Sequence, residues 1–559
     1  MAATDTFDAI VIGSGVSGGF AAKELTEKGL RVLMLDRGIM VEHGEGYPYD
    51  GKPAYEVPAR NSMPPALMES DYFITKHGYV TPSNRKFYND DRLNPYAYDE
   101  GSKFYWIRPA AVGGKSLIWG RWTFRWAPED FEANKRENVG IDWPIRYEDV
   151  EPWYKYVENY IGVSGSRENL PQLPDSDFQP PMQMNIAEKW VKPRLESKFP
   201  GRKLINTRLT NMTEDKPDQN RTKCQYRNQC GNGCSFGAYF STQAVTLPAA
   251  RATGKLTLRS DAVVTNLEYD ATKKRVTGVR YVDAKTGQAQ VVKARMVFLC
   301  ASALASVQIM MNSKRPDGRS WFDSSGTLGK YVMDHIFRVS IGGNIPGMTE
   351  YIEYGRRPGG VYIPRFRNVG GEEGVGFKRG YGYQGSAYRS PAGPVGFGKS
   401  MKEGMRKYNN WQFGMTAFGE CLPYEDNRVS LHPTKVDRFG VPLMVFNVTF
   451  RDNELKMMAD AREQGEAMLR GAGLTDVQSR EGEHVPGDAI HEMGGARMGA
   501  DPRTSVLNKW NQAHDAPNLF VTDGAQMASV ACVNPSLTFM ALTARACDNA
   551  VKLMKAGTI

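Results

Sequence analysis

The chain has 559 residues, 41% of them hydrophobic and 11% aromatic, too many for one simple core, so two domains are expected. Its 71 basic and 62 acidic residues leave a net charge of +9 spread along the chain with no lysine or arginine block. That pattern argues against nucleic acid and leaves room for a face that docks an acidic partner. Seven cysteines are too few for a disulfide scaffold, and three of them lie within one short loop.

The chain opens on MAATDTF, without a charged-then-apolar leader. Residues 7–12 (FDAIVI) are apolar and β-rich, as a buried parallel strand requires. Gly13, Gly15 and Gly18 follow at once in GSGVSG. The first permits a tight turn, the second lets the backbone approach a pyrophosphate, and the third lets the next helix pack closely on the strand. Residues 16–28 predict that helix, stopped by Gly29, with its N-terminal N–H groups free for phosphate. A second apolar strand, 30–35, ends in Asp36, whose carboxylate can accept hydrogen bonds from a ribose. The alternative, a glycine turn without a ligand, leaves the two strands, the helix and the acid at this spacing unexplained. The unit predicts a bound dinucleotide.

Residues 38–94 are rich in Pro, Tyr and Gly and read as loops. In VGGKSLIWG, residues 112–120, Gly113 and Gly114 again allow a ligand close to the backbone. An amphipathic helix is expected at 147–160, and weak periodicity over 165–220. Next comes CQYRNQCGNGC, with Cys224, Cys230 and Cys234 at C-x5-C-x3-C spacing. Thiolates favour iron–sulfur clusters or zinc. With no fourth Cys or His nearby, three thiolates fit a three-iron cluster better than a structural zinc site, which takes four ligands. Unligated thiols in a polar loop are the alternative.

Strands are expected at 256–258, 263–269 and 276–282, a central strand at 297–300 and its helix at 303–311. The longest near-apolar run, 296–311, is too short to span a bilayer. Strand-like segments alternate with turns over 339–451, helix follows from 450, and 519–522 is a buried strand ending at Asp523-Gly524. Cys300, Cys421, Cys532 and Cys547 stand in apolar stretches and read as buried small hydrophobes. This order implies an α/β fold with a discontinuous Rossmann-like cofactor domain, 1–330 with 481–559, and a sheet-rich substrate domain, 331–480 with parts of 38–110.

Over nearly its whole length the chain resembles the glucose–methanol–choline (GMC) flavoprotein oxidoreductases. The resemblance rests on GSGVSG with Asp36-Arg37-Gly38, VGGKSLIWG, CASALAS at 300–306, GKYVMDH at 329–335, HEMGGARMG at 491–499 and VNPSLT at 533–538. Within that family, DWPIRYEDVEPWY and the cysteine loop are similar to catalytic subunits of bacterial FAD-dependent sugar dehydrogenases, glucoside 3-dehydrogenases above all. The NPSLT tail is also similar to pyranose oxidases.

The resemblance implies a secondary hydroxyl of a sugar or glycoside, at C3 by the likeness to glucoside 3-dehydrogenases, oxidised to a ketone with hydride passing to flavin N5. His491 is the implied base and Asn534 the group that holds the substrate oxygen; His335 is expected to play a structural part. Expected cofactor contacts are Gly13, Gly15, Gly18, Asp36, Arg37, Gly113, Gly114, Ser116, Val264, Ala301, Asp523, Gly524 and Pro535. VGGKSLIWG holds no Cys or His, so the FAD is expected to be non-covalent. The resemblance also implies a 3Fe-4S cluster on Cys224, Cys230 and Cys234, a small helper subunit and a cytochrome-type electron acceptor. Such subunits are exported to the periplasm with a signal-bearing partner; a cytoplasmic location is the alternative. An oxygen-using oxidase and a flavin electron-transfer module without substrate chemistry are the competing readings.

Overall fold

The computed structural model describes residues 7–69, 73–349, 351, 357–370, 374–390, 392–393 and 396–559. Residues 1–6, read above for a leader, and short pieces of the strand-rich stretch 339–451 lie outside the described residues. Two sheets dominate. In the first, strands 516–521, 289–299, 7–12, 32–35 and 256–259 lie side by side in that order and run parallel. Strand Phe7–Ile12 is central, and its side chains alternate between faces. Ala9 and Val11 pack with Ala21, Ala22 and Leu25 of helix Val16–Glu27 and with Ala550 and Val551 of helix Ser536–Lys555. Ile10 and Ile12 face the opposite core. Both faces are covered, which is why these strands read as continuous apolar runs.

Strand Ala289–Leu299 does two jobs. Its C-terminal half pairs with Phe7–Ile12 in parallel, while 289–293 pair antiparallel with strand Arg275–Asp283, which pairs with Ala262–Asp270. The second sheet is antiparallel, in the order 475–481, 336–344, 412–419, 381–388, 361–363, 205–206. Helix Asp452–Gly471 lies on it, with Met457, Ala461 and Met468 against Ile341, Tyr383 and Met415. A small third sheet joins 97–98 to strands 428–436 and 442–447.

The predicted strands and helices of the first sheet stand within three residues of their expected places, except that the central strand expected at 297–300 begins at 289. Among the described residues six helices differ from expectation: Pro65–Glu69, Pro128–Glu137, Thr246–Ala252, Lys399–Arg406 and two longer ones. Helix Ile186–Lys198 lies in the stretch read as aperiodic, and Pro193 inside it disguises the pattern. Its start was legible: Asn185 accepts from Glu188 N while Glu188 accepts from Asn185 N, a reciprocal cap. The other, Ser536–Lys555, follows Asn534 and Pro535 directly and carries its N-terminus to the first sheet. The four cysteines outside the loop are buried.

Candidate active site and cysteine cavity

A cleft of about 1330 Å³, its open mouth included, runs over the C-terminal ends of the parallel strands. Ile12, Leu35 and Cys300, near the ends of three neighbouring strands, contribute to its wall. Gly13, Gly15, Asp36 and Arg37 line it, and so do Gly114, Val264, Ala301, Asp523, Gly524 and Pro535. Two helix N-termini open onto it, at Gly15–Val16 and at Pro535–Ser536.

The glycines have separate tasks. A Cβ at Gly15 would meet nothing within 4 Å, so that backbone faces open cleft. A Cβ at Gly18 would stand 1.9 Å from Gly13 O, so Gly18 is required by the turn itself. Gly18, Gly113 and Ser116 do not line the cleft. They hold its wall: Gly113 N donates to Ser14 Oγ at 2.7 Å, and Ser116 Oγ donates to Gly113 O at 2.6 Å. Asp36 is buried, accepts from Ser14 N at 2.9 Å and Gly38 N at 2.7 Å, and burial raises its pKa.

The residues fit a dinucleotide. Ser17 Oγ, Arg108 Nε and Glu492 Oε1 belong to cleft-lining residues and are buried without a protein partner. Buried polar atoms left unpaired are costly, and phosphate, ribose and flavin edges carry the groups that would satisfy them.

At His491, side chains from four distant segments form one hydrogen-bonded chain, of which His491 lines the cleft and Asn534, His335 and Gln384 do not. His335 Nε2 lies 2.5 Å from Ala531 O, His335 Nδ1 lies 3.0 Å from His491 Nδ1, and His491 Nε2 lies 3.2 Å from Asn534 Nδ2. Asn534 Oδ1 accepts from Gln384 Nε2 at 2.7 Å. Ala531 O only accepts, so His335 must carry its proton on Nε2. Neutral His335 then accepts at Nδ1, and His491 must donate from Nδ1. His491 Nε2 is therefore left with a lone pair, facing the Asn534 NH2 group. Burial holds both rings neutral: it lowers His335 to about 4, and burial, then His335 and Lys115, push His491 well below the ordinary histidine value.

The backbone under His491 is strained. Ile490 has φ +59°, a region that β-branched residues avoid. Asp334 holds this turn by accepting from Gly487 N at 2.7 Å, Ala489 N at 3.3 Å and His491 N at 3.0 Å. Asp334 is fully buried, and burial raises it to about 7. Beside the turn, Lys115 pairs with Glu492 and donates to Ile490 O at 3.1 Å. Asp334, Gln384 and the Lys115–Glu492 pair were not singled out from sequence. The Met-Asp-His string at 333–335 was the available signal for the first.

A second cavity, of about 860 Å³, is lined by Cys224, Cys230 and Cys234 together. The three thiols are free and partly exposed. The loop that carries them is tied to 50–52: Ser235 N donates to Asp50 Oδ2 at 2.9 Å and Gly51 N to Gln229 Oε1 at 2.7 Å. Burial raises Cys224 to about 11 and also raises Cys234. Among the described residues no three His, Cys, Asp or Glu side chains converge closely enough to hold a single metal ion. Residues 239–240 run between the cavities: Tyr239 lines the cysteine cavity and donates to Leu117 O at 2.9 Å, while Phe240 O accepts from Trp119, a wall residue of the cleft, at 3.0 Å.

Comparison with known proteins agrees with this geometry. The chain matches the two GMC oxidoreductase family models over residues 7–337 and 423–543. It is 27% identical to the fructose dehydrogenase large subunit of Gluconobacter japonicus, covering 98% of both chains. It is 28% identical to 2-methyl-1,2-propanediol dehydrogenase of Mycolicibacterium austroafricanum, covering 97% of this chain and 95% of that one. Among solved structures, pyridoxine 4-oxidase from Mesorbium loti shares the fold, with a TM-score of 0.59 at 15% identity, covering 97% of this chain and 98% of the other. The chain belongs to the GMC oxidoreductase family, FAD-dependent enzymes that act on CH–OH groups.

Proposed function

We propose that this chain is the FAD-bearing subunit of a dehydrogenase that oxidises a secondary hydroxyl of a sugar or glycoside, C3 by the sequence resemblance, to a ketone. The observation that carries the reading is the unprotonated Nε2 of His491 beside the Asn534 NH2 at the end of the cleft. When bound, FAD supplies the acceptor for the hydride leaving the carbon. His491 Nε2 takes the hydroxyl proton, and Asn534 Nδ2 donates to the same oxygen as charge builds there. His491 Nδ1–H stays on His335 throughout, so the ring does not turn as its charge changes. A polyhydroxylated substrate is supported by the names of the two relatives, a fructose and a propanediol dehydrogenase.

The electron exit we assign to Cys224, Cys230 and Cys234. Support for this comes from the three thiols lining one cavity, since thiolates favour iron–sulfur clusters. A 3Fe-4S cluster there would supply a one-electron path, with 239–240 as the wall between it and the cleft. The external acceptor is then a one-electron carrier of cytochrome type. A small helper subunit is in keeping with the large-subunit name of the fructose dehydrogenase relative. Carried by such a subunit with an export signal, the chain would work in the periplasm. No helix among the described residues is long and apolar enough to cross a membrane.

One experiment tests both halves. Anaerobic addition of methyl β-D-glucopyranoside, among a panel of glycosides, should bleach the flavin and yield a ketone. Cys230→Ser should lose iron, keep FAD, still bleach once, and fall to background turnover with a one-electron acceptor. Full turnover of Cys230→Ser, or zinc in anaerobically purified protein, would remove the cluster and return the oxidase reading.

A further inference from the structure

The hydrogen-bonded chain through His491 ends on a residue from the other sheet. Gln384 sits in strand Tyr381–Tyr388 of the antiparallel sheet, and its Nε2 donates to Asn534 Oδ1 at 2.7 Å. Asn534 precedes helix Ser536–Lys555, which packs on the parallel sheet. This bond therefore joins the two sheets at the reacting centre.

Amide torsions are soft and nearly two-fold, so an asparagine can present either its oxygen or its NH2 in one direction. Only the NH2 serves here, because His491 Nε2 carries a lone pair and a substrate alkoxide would be an acceptor as well. At the other end Ala531 O fixes the polarity of the rings through His335. Nothing in that half of the chain clamps the Asn534 amide itself. The clamp must oppose Oδ1, and the group opposite Oδ1 is Gln384 Nε2.

We propose that Gln384 is a positioning residue that fixes the Asn534 amide with its NH2 toward His491 and the substrate oxygen. The proposal rests on the alcohol-oxidation reading for its consequence in rate, but not for its geometry. Gln384 touches neither the proton nor the carbon that reacts. It acts through Asn534, by removing the amide orientation in which an oxygen faces the developing alkoxide. A wrongly turned amide replaces a charge-assisted donor with a repulsive acceptor.

The test uses Gln384→Glu and Gln384→Leu holoenzymes, with FAD content as the check on folding. An ionised carboxylate only accepts, so in Gln384→Glu at high pH Asn534 should turn its NH2 to the introduced carboxylate and its Oδ1 to His491 Nε2. Once protonated, the introduced carboxyl donates and restores the native orientation. Nitrogen-15 NMR of histidine-labelled protein reads this without any substrate. The native enzyme should hold His491 with Nδ1 protonated at all pH values where the ring is neutral. In Gln384→Glu the His491 Nε2 resonance should lose the shift that an accepted hydrogen bond gives it as pH rises through the carboxyl pKa, while Nδ1, held by His335, stays protonated. Gln384→Leu should show a mixture without that pH dependence. Flavin reduction by methyl β-D-glucopyranoside should fall about ten- to a hundredfold in Gln384→Glu at high pH and recover toward low pH.

If both variants keep the native His491 Nε2 resonance at every pH, or change it identically, Gln384 merely fills space and the proposal fails. If the Nε2 resonance shifts as expected but the native flavin is not bleached by any glycoside, the sugar-oxidation reading fails and the role of Gln384 stands.

Discussion

The two ends of the cleft are built by different means. At the glycine-loop end the wall is built first from main chain, the turn at Gly13 and Gly15 and the first N–H groups of a helix, with side chains such as Ser17, Asp36 and Arg37 added to it. At the histidine end it is the side chain of His491 that lines the cleft, held in a network with side chains from 334–335, 384 and 534. A main-chain site is made when its strand and helix fold, and it tolerates loss of one side chain. A side-chain site depends on several long-range contacts at once, so one substitution disturbs its neighbours. The first end is preorganised to bind and the second to hold one protonation state.

The largest effect expected from this contrast lies at the first end and has nothing to do with chemistry. Gly18→Ala would place a methyl 1.9 Å from a backbone oxygen that cannot yield. It should give little or no soluble folded protein. Gly15→Ala, three residues away, places its methyl in empty space at an ordinary φ of −65°. It should fold and melt cooperatively, yet leave the column pale, because the methyl occupies the path of the pyrophosphate. Yellow Gly15→Ala protein with a full FAD complement would move the dinucleotide away from this loop.

At the second end, His491→Ala should keep its FAD and its fold while flavin reduction by substrate falls roughly 10²–10⁴-fold, the usual loss with a general base. Stopped-flow absorbance under anaerobic conditions reads this step apart from electron exit. Reduction at near-native rates would assign the proton to another group.

The same contrast decides what the sequence made legible. The glycine loop, its strands and Asp36 are contiguous, so their periodicity and spacing stand in one window of residues. The three cysteines are legible for the same reason, and the structure gathers them around one cavity. His491 and Asn534 were identified only through the resemblance, since neither residue's type nor local pattern marks a base. Their juxtaposition is created by a sheet register and a turn that no local pattern encodes. Gln384 is the clearest case. Within its strand it is one polar residue among alternating ones, and only the packing of the antiparallel sheet against the 531–534 loop gives it a partner. Helix Ile186–Lys198 shows the converse, a legible cap hidden by an internal proline.

The smallest expected effect is on pH dependence, and it separates the two ends without touching either ligand. An ordinary histidine has a pKa near 6.5. Burial lowers His491 well below its usual value and His335 to about 4. A base works only when unprotonated, so a lowered pKa moves the loss of activity to more acid pH. Flavin reduction should be flat through neutrality and decline only well below pH 6.5; an inflection at or above 6.5 would mean that the ring is solvated. The stability effect has the same direction. As pH falls below 6.5 the unfolded chain takes up a proton that folded His335 refuses, so its contribution is full above 6.5 and is lost progressively down to about 4. The slope from one such group is at most about 1.4 kcal/mol per pH unit. Buried Asp334 and Asp523, raised to about 7 and about 6, act oppositely, since their stabilising protons are lost as pH rises. The native melting curve therefore mixes the signs. The difference between native protein and His335→Phe isolates the histidine: the variant should lose less stability between pH 6.5 and 4. Parallel curves over that window would mean that His335 is charged in the folded protein, and the polarity of the whole chain from Ala531 to Asn534 would have to be reversed.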